Sequence, residues 1–362
     1  MILASVLVLF LAIGSIRIKC PLFNRELYEE SYSIESTNAM KGILAIGIVL
    51  SHLVSKVDHQ LPFITFSAVG SIGVAVFFLF SGYALAWCTK NKSDYLEYFI
   101  SRRFIKIFLP YIIYLLLYTV IVCIFCDDTL LGIIQSFTNG FPVSNTWYII
   151  AIMLFYVLFY FCFRRKNLVN SKSISVGIIQ LSVLTIVYIA ITWLFWPDWW
   201  YKTCELFVIG VALGFYRPQI ESRIQKHYSI WLVCSVLFFM VSYSFPAIIS
   251  HVWPNNLLNV WLINDALMGL SFALMIALLM FKGHVNNRIT RFLGSISFEL
   301  YLCHGLVIKL LFDVYGNDGN QWWQEISSIC TLILSILLAW ILHFVFKRTI
   351  KYCNRLFSYM YA

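Results

Sequence analysis

The sequence has few charged residues: only 12% of its 362 residues are Asp, Glu, Lys or Arg, whereas 61% are hydrophobic. A soluble domain normally has about twice that charged fraction, so the composition excludes an ordinary soluble fold. The hydrophobic residues lie in blocks of about 15–24 residues, the length with which a helix crosses about 30 Å of hydrocarbon. The blocks lack the alternation of barrel strands, so we predict an all-α polytopic membrane protein.

A second cysteine pair, metal-ligand spacings and internal repeats are also missing. The ten cysteines are scattered, and the one CxxC pair (Cys123 and Cys126) has neither a second pair nor a histidine at metal spacing. We therefore predict no disulfide framework and no metal site. The net charge of +9 lies mostly in short loops between apolar blocks, where it acts as a topology signal, and we expect no nucleic-acid partner. The sequence shows no internal repeat, which argues against a transporter or flippase for lipid-linked glycans.

The apolar blocks predict about eleven membrane spans. They cover residues 1–16, 40–56, 69–88, 104–126, 146–163, 174–196, 200–216, 228–249, 260–281, 293–312 and 327–346. The blocks 40–56 and 200–216 are weak because charged residues interrupt them. Basic loops should share the cytoplasmic side, so an even number of crossings must separate them, and both weak blocks are then needed as spans.

This arrangement places all but three of the 26 lysines and arginines on the cytoplasmic side. The three on the outer side are Lys56, Lys202 and Lys309. The amino terminus is then outside and the carboxyl terminus is cytoplasmic. Residues 1–16 carry their positive charges after the apolar run, so we expect an uncleaved first helix.

The second predicted span contains two ionisable residues with a defined relation. Lys41 and His52 are eleven positions apart, which is three helical turns plus about 20°, so they share one face. The rise of roughly 16 Å places Lys41 at the inner interface and His52 near the middle of the membrane. Ionisable groups at that depth are rare and usually functional, which favours a functional role for His52 over a buried imidazole bonded to a neighbouring helix.

Two further runs follow in the chain. Phe77-Phe78 with Ser81-Gly82-Tyr83 allows close helix packing or a narrow slot for a ligand. Arg102-Arg103 with Lys106 follows on the predicted cytoplasmic side. This basic run is either a topology signal or a phosphate-binding cluster, because Arg and Lys pair well with phosphate.

Five motifs in order resemble the acyltransferase-3 family of integral membrane acyltransferases, which includes bacterial polysaccharide O-acetyltransferases. They are Lys41-x10-His52, the GVxxFFxxSGY run from Gly73, the RRxxKIxxPY run from Arg102, Asn145-Thr146-Trp147-Tyr148, and SFELYLCH from Ser297 to His304. The resemblance divides the chain into an extra N-terminal helix with a cytoplasmic loop (1–36), a membrane acyltransferase domain (37–346) and a basic cytoplasmic tail (347–362). Two positions depart from the pattern: Lys41 stands where arginine is common, and Ala75 where many members have aspartate.

The resemblance implies that His52 is the essential histidine of a multi-pass bacterial inner-membrane O-acyltransferase. The implied donor is cytoplasmic acyl-CoA, with acetyl-CoA favoured, and the implied acceptor is a glycan or lipid-linked glycan such as an exopolysaccharide. Lys41, Arg102, Arg103 and Lys106 would bind the donor. Membrane lipids would surround the protein. The residues expected to line its channel or pocket are Phe78, Ser81, Gly82, Tyr83, Trp147, Glu299, Tyr301 and His304.

The chemistry of His52 stays open between two routes. An imidazole with a pKa near 6.5 can take a proton from a sugar hydroxyl as that hydroxyl attacks the thioester. A covalent acyl-histidine relay is the other route.

Other roles stay open for two further residues. Trp147 is equally an interfacial aromatic, and His304 either binds acceptor, positions His52 or serves the fold. Membrane-bound O-acyltransferases use a histidine late in the chain, and the late candidate here is His304, whereas the ordered motifs centre on His52. A soluble-type glycerolipid acyltransferase would need His-x4-Asp, but Asp58 lies one residue too far from His52.

Overall fold

The computed structural model describes residues 13–22, 24–57, 67–92, 94–126, 128–165, 170–252, 258–314 and 321–360. These residues form a mainly helical bundle. In chain order the helices are α1 (Ile34–Val54), α2 (Ser67–Asn91), α3 (Phe99–Arg103), α4 (Leu109–Phe125), α5 (Leu130–Thr138), α6 (Trp147–Phe163), α7 (Ser171–Phe195), α8 (Glu205–Phe215), α9 (Arg217–Lys226), α10 (Tyr228–Val252), α11 (Leu258–Lys282), α12 (Arg288–Ser295), α13 (Ser297–Ile308) and α14 (Gln321–Met360). Phe104–Phe108 forms a π-helical turn that joins α3 to α4, and a second π-helical turn, Lys309–Val314, continues α13.

The described helices confirm the prediction of a membrane protein built from apolar helices. Within the described residues, seven helices are long and apolar enough to cross a bilayer, and the pair α12–α13, bent by 74°, can form an eighth crossing. The predicted span 146–163 is a shorter apolar helix of 17 residues. The total of about eleven spans and the direction of insertion therefore stay predictions, and most of the predicted span 1–16 lies outside the described residues.

The predicted span 200–216 is helical only from Glu205 to Phe215, which is 11 residues. Its upstream part is instead a 3-10 turn, Asp198–Trp200, followed by hydrogen-bonded turns. The short helix α8 still lies inside the bundle, because it packs along α2 through glycines. A Cβ atom on Gly210 would collide with the carbonyl of Leu79, and one on Gly82 would collide with the carbonyl of Phe207. Small residues allow such backbone contact between membrane helices.

A small antiparallel sheet lies at one end of the bundle. Strand β1 (Ile16–Ile18) pairs with strand β2 (Gly283–Val285), with Ile16 opposite Val285. The side chain of Lys282 is fully buried beside it and donates hydrogen bonds to the carbonyls of Asn24 (2.8 Å) and Glu26 (2.6 Å). These bonds fasten the segment that precedes α1 to the end of α11.

Helix α1 lies at the centre of the core. Its residues from Gly42 to Leu50 are all buried, and it packs against α2, α12 and α13. Close approach to α12 depends on a glycine pair, since a Cβ atom on Gly42 would lie 2.5 Å from the backbone nitrogen of Gly294. The central position of α1 explains why its hydrophobic run includes small residues such as Gly42 and Gly47, which long lipid-facing helices do not need.

Candidate active site

His52 lies near the carboxyl end of α1, and its imidazole stacks on that of His304 from α13. The two ring centroids are 5.1 Å apart and the ring planes differ by 29°. Among the described residues, the ring of His52 has no hydrogen-bond partner. The tertiary structure thus joins two histidines that are 252 positions apart in the chain.

His304 is fully buried and held in one orientation. Its Nδ1 lies 2.8 Å from the carbonyl oxygen of Tyr301 and 3.2 Å from that of Leu300. Both neighbours can only accept, so a neutral His304 carries its proton on Nδ1 and donates it to them. Its Nε2 then keeps a lone pair, and this buried atom has no hydrogen-bond partner among the described residues.

Two cavities meet at His52. The first, here called the charged cavity, has a volume of about 650 Å³ and is lined by two lysine–aspartate pairs and several polar residues. The second, here called the aromatic cavity, has a volume of about 390 Å³ and is lined by Trp147, Trp199 and Tyr301 together with His52. The two cavities share Phe141 and Asn145 as well as His52. His52 is therefore reachable from two sides.

The turn that carries Asn145 has an unusual backbone. Ser144 and Asn145 have φ angles of 56° and 59°, in the left-handed region that non-glycine residues rarely adopt. Three hydrogen bonds hold this turn: Tyr114 Oη donates to Ser144 Oγ, Ser144 Oγ donates to the Leu302 carbonyl, and Tyr301 Oη donates to the Asn145 carbonyl, each at 2.8 Å. Strained residues of this kind cluster at functional sites.

Asn145 is the site residue that sequence reasoning left without a role. Its backbone conformation places the exposed amide side chain at the boundary of both cavities beside His52. Asn is among the residues that tolerate the left-handed region, and it lies between Pro142 and the helix that begins at Trp147, which is the available sequence signal.

A third cavity contains Lys41. This inner cavity, about 170 Å³, is lined by Lys41, Phe77, Ser81, Tyr148 and Tyr301 with neighbouring apolar residues. Tyr301 also lines the aromatic cavity, so the space beside Lys41 and the space beside His52 have a common wall. Within the described residues, Lys41 has neither a hydrogen-bond partner nor an ion-pair partner.

Helices α1 and α13 run along these cavities in the same order. On α1, Lys41 lines the inner cavity, whereas His52 and Lys56 line the charged cavity. On α13, Phe298 lines the inner cavity and Ile308 lines the charged cavity. The inner, aromatic and charged cavities therefore follow one another along α1 and α13, and the stacked histidines lie close to the charged cavity.

A fourth, basic cavity of about 520 Å³ lies at the turn between α2 and α4. It is lined by Lys92, Arg102, Arg103 and Lys106, with Asp94 as its single acidic residue among the described lining. Arg103 is half-buried: its Nη2 donates to Tyr95 Oη at 2.6 Å, and its guanidinium lies over the rings of Phe99 and Tyr156. Tyr156 also lines the inner cavity, so this ring lies between the guanidinium of Arg103 in the basic cavity and the inner cavity.

Four residues expected in the channel lie elsewhere. Phe78 is fully buried against Tyr148 and Phe155, and Gly82 packs on the backbone of α8. Tyr83 accepts a hydrogen bond from Arg217 Nη1 at 2.7 Å. None of these three residues lines the four cavities, because on this helix it is Phe77 and Ser81 that face the inner cavity.

Glu299 is the fourth of these residues. It is buried and lies 3.0 Å from Nδ1 of His343 on α14, away from His304. The pair ties α13 to α14. The other residues expected at the site do meet there: Ser81 and Tyr301 at the inner cavity, Trp147 at the aromatic cavity, and His304 directly against His52.

Comparisons with known proteins bear on this arrangement. Residues 34–344 match the family model described as an acyltransferase domain of the acyltransferase-3 type. A stretch of 104 residues is 31% identical to the acyltransferase MdmB of Streptomyces mycarofaciens and covers 27% of each chain, so this chain spans about a quarter of that relative's length. No solved structure matches the chain. Because the family model covers most of the chain, from the start of α1 into α14, this protein belongs to the acyltransferase-3 family.

Proposed function

We propose that the protein is a membrane O-acyltransferase, more specifically an O-acetyltransferase of a bacterial cell membrane. It moves an acyl group from cytoplasmic acyl-CoA to a hydroxyl group of a cell-surface or lipid-linked polysaccharide. One observation carries this proposal: His52 lies where a series of cavities that begins at basic residues meets a separate polar cavity. A donor and an acceptor can therefore reach the same imidazole from opposite sides.

The donor side has the charges that CoA needs. Its phosphates would bind in the basic cavity, where Arg102, Arg103 and Lys106 supply donors suited to phosphate oxygens. Its narrow pantetheine arm would pass Lys41 in the inner cavity and Tyr301 at the common wall, and so bring the thioester to His52. The ammonium of Lys41, which has no partner among the described residues, is available to bind donor oxygens along this path.

At His52 the reaction balances without a further reactant. The imidazole accepts the proton of the acceptor hydroxyl while the hydroxyl oxygen attacks the thioester carbonyl. The C–O bond forms, the C–S bond breaks, and the CoA thiolate leaves and takes up the proton from the imidazolium. In the relay form, a ring nitrogen of His52 attacks the thioester carbonyl, the C–S bond breaks, and CoA leaves as a thiolate that takes up the imidazole proton. The acceptor hydroxyl then attacks the acyl-imidazole, the C–N bond breaks, and the imidazole takes up the proton of the hydroxyl.

The test uses the purified full chain in lipid nanodiscs with acetyl-CoA and a panel of glycoside acceptors, and it measures release of free CoA. We expect His52→Ala to lower the rate by a factor of at least about 100, the usual loss on removing a general base or nucleophile. His227→Ala is the matched control, because His227 is exposed and lies outside the cavities. Equal rates for His52→Ala and the control would refute the catalytic role.

A second measurement separates the two routes. Wild-type protein is mixed with radiolabelled acetyl-CoA without acceptor and quenched at neutral pH. A label that stays on the protein in a one-to-one ratio and is absent from His52→Ala supports the relay. No label together with rapid transfer once acceptor is added supports His52 as a general base.

A further inference from the structure

We infer that the charged cavity is the acceptor site and that it selects an electrically neutral sugar unit over an anionic one. This inference rests on the proposed acyltransfer to a glycan. It adds a determinant of substrate class, namely the two lysine–aspartate pairs that line the cavity.

Each lysine of the charged cavity already has an acidic partner. Lys56 Nζ lies 2.6 Å from Asp313 Oδ1, and Lys309 Nζ lies 3.2 Å from Asp128 Oδ2. Among the described lining residues these are the two lysines and the two carboxylates, and no arginine is present, so with His52 neutral the lining has no net charge. Lys56 and Lys309 are also two of the three basic residues that the charge pattern assigns to the outer side.

Residues that flank the lining residues in sequence, but lie outside the described part of the chain, add no lysine or arginine. The segments 58–66 and 315–320 and position 127 contain three aspartates and no lysine or arginine. They also contain one histidine, His59, so with that histidine neutral these segments carry no positive charge. An anion that entered the cavity would lose hydration and find no uncompensated cation to replace it, which is unfavourable.

Neutral polar groups of the cavity are left unengaged. Within the described part of the chain, the side chains of Ser136 and Asn145 have no hydrogen-bond partner, and both are exposed to the cavity. A hydroxyl and an amide can each donate and accept, which suits the alternating donors and acceptors of a sugar. The volume of about 650 Å³ is in the usual range of small-molecule sites.

The basic cavity differs from the charged cavity in its charge balance. Its described lining has four cations and one carboxylate, and Lys106 has no partner among the described residues. The chain thus presents unbalanced positive charge where an anionic donor is expected and balanced charge where the acceptor is expected. Such charge patterns determine which ligands are rejected as well as which are bound.

The test compares two acceptors that differ only at C6, p-nitrophenyl β-D-glucopyranoside and p-nitrophenyl β-D-glucuronide, along with the corresponding galactoside pair. Binding to the full chain in nanodiscs is measured by saturation-transfer NMR, and acyl transfer is measured with acetyl-CoA. We expect the neutral member of each pair to bind and to react at least about tenfold better, because the carboxylate of the acidic member would lose hydration in the cavity and meet no uncompensated cation there.

Variants that change the charge of the cavity test whether the charge balance causes the preference for neutral sugars. Asp128→Asn leaves Lys309 unpaired and should reduce the preference for the neutral sugar by about tenfold, whereas the double variant Asp128→Asn with Lys309→Met should restore it. Glu35→Gln removes one carboxylate at the far end of α1 and should leave the preference unchanged, since Glu35 is exposed and lies outside the four cavities.

Three results would overturn the inference: binding of the acidic sugars equal to that of the neutral ones, failure of all neutral glycosides to bind, or an unchanged preference in Asp128→Asn. These results are distinct from failure of the proposed function. If neutral glycosides bind with the expected preference but no acyl group is transferred, the acyltransfer proposal fails and the selectivity of the cavity stands. If acidic sugars are acylated equally well, only the inference fails.

Discussion

Arg102 and Arg103 are adjacent in sequence, but the structure predicts different contributions to donor binding. Both side chains line the basic cavity. Arg103 is half-buried, fixed by Tyr95 and covered by the rings of Phe99 and Tyr156. Arg102 is exposed, and its guanidinium carbon lies 5.6 Å from the centroid of the Tyr98 ring. The sequence alone had assigned both residues the same role.

The size of the difference follows from their surroundings. A hydrogen bond from a fixed, partly buried guanidinium to a phosphate is worth about 1.5–3 kcal/mol, which corresponds to about a 10- to 150-fold change in affinity. Arg103 loses little side-chain entropy on binding because Tyr95 already orients it. An exposed, solvent-screened arginine contributes less, and we expect at most about a fivefold change for Arg102.

The assay is isothermal titration of acetyl-CoA into purified Arg103→Gln, Arg102→Gln and wild-type protein at about physiological ionic strength and again at about 0.5 M salt. Added salt should weaken the contribution of Arg102 more than that of Arg103, because exposed charges are screened more strongly. Dephospho-CoA derivatives then show whether the 3′-phosphate is the group bound. Equal losses for both variants, or a larger loss for Arg102→Gln, would refute the reasoning from burial.

Two predictions concern the fold. Gly210→Ala should destabilise the protein by about 3 kcal/mol and lower the yield of folded protein in size-exclusion chromatography, because the new Cβ collides with the carbonyl of Leu79 and neither backbone can move freely. Gly14→Ala is the control, because no atom of the described residues lies within 4 Å of the new Cβ, and equal yields would contradict the close packing of α2 and α8. Lys282→Met should cost about 3 kcal/mol by thermal unfolding, since it removes the charged hydrogen bonds to Asn24 and Glu26 from a fully buried site. Lys226→Met, at an exposed position, should leave the melting temperature unchanged.

Patterns within single segments of the sequence were enough to predict part of the fold and of the site. Hydrophobic blocks predicted membrane helices because the length of an apolar run is a property of the chain itself. The interrupted block around His52 was predicted to cross, and it is the central helix Ile34–Val54. Helical period placed Lys41 and His52 on one face, and in the structure they line consecutive cavities. The ordered motifs predicted the family, and the match over residues 34–344 confirmed it.

Other predictions depended on which helix faces which, and there the sequence was insufficient. Tyr83 was expected beside Ser81 in the channel, but two residues further along a helix is a rotation of about 200°, and the side chain instead meets Arg217. Glu299 pairs with His343 because α14 packs on that side of α13. Helix α8 has 11 residues where a full span was predicted, because a 3-10 turn replaces its upstream part.

The sequence by itself determined the class of protein, the family and the helix on which the candidate histidine lies, because these follow from composition and from periods within single helices. Only the tertiary structure decided that His304 stacks on His52, that the strained turn at Ser144 and Asn145 separates the two cavities beside them, and that each lysine of the charged cavity has an aspartate partner. Such contacts join residues far apart in the chain. They depend on how closely helices pack, which small residues such as Gly42, Gly210 and Gly305 permit but do not by themselves specify.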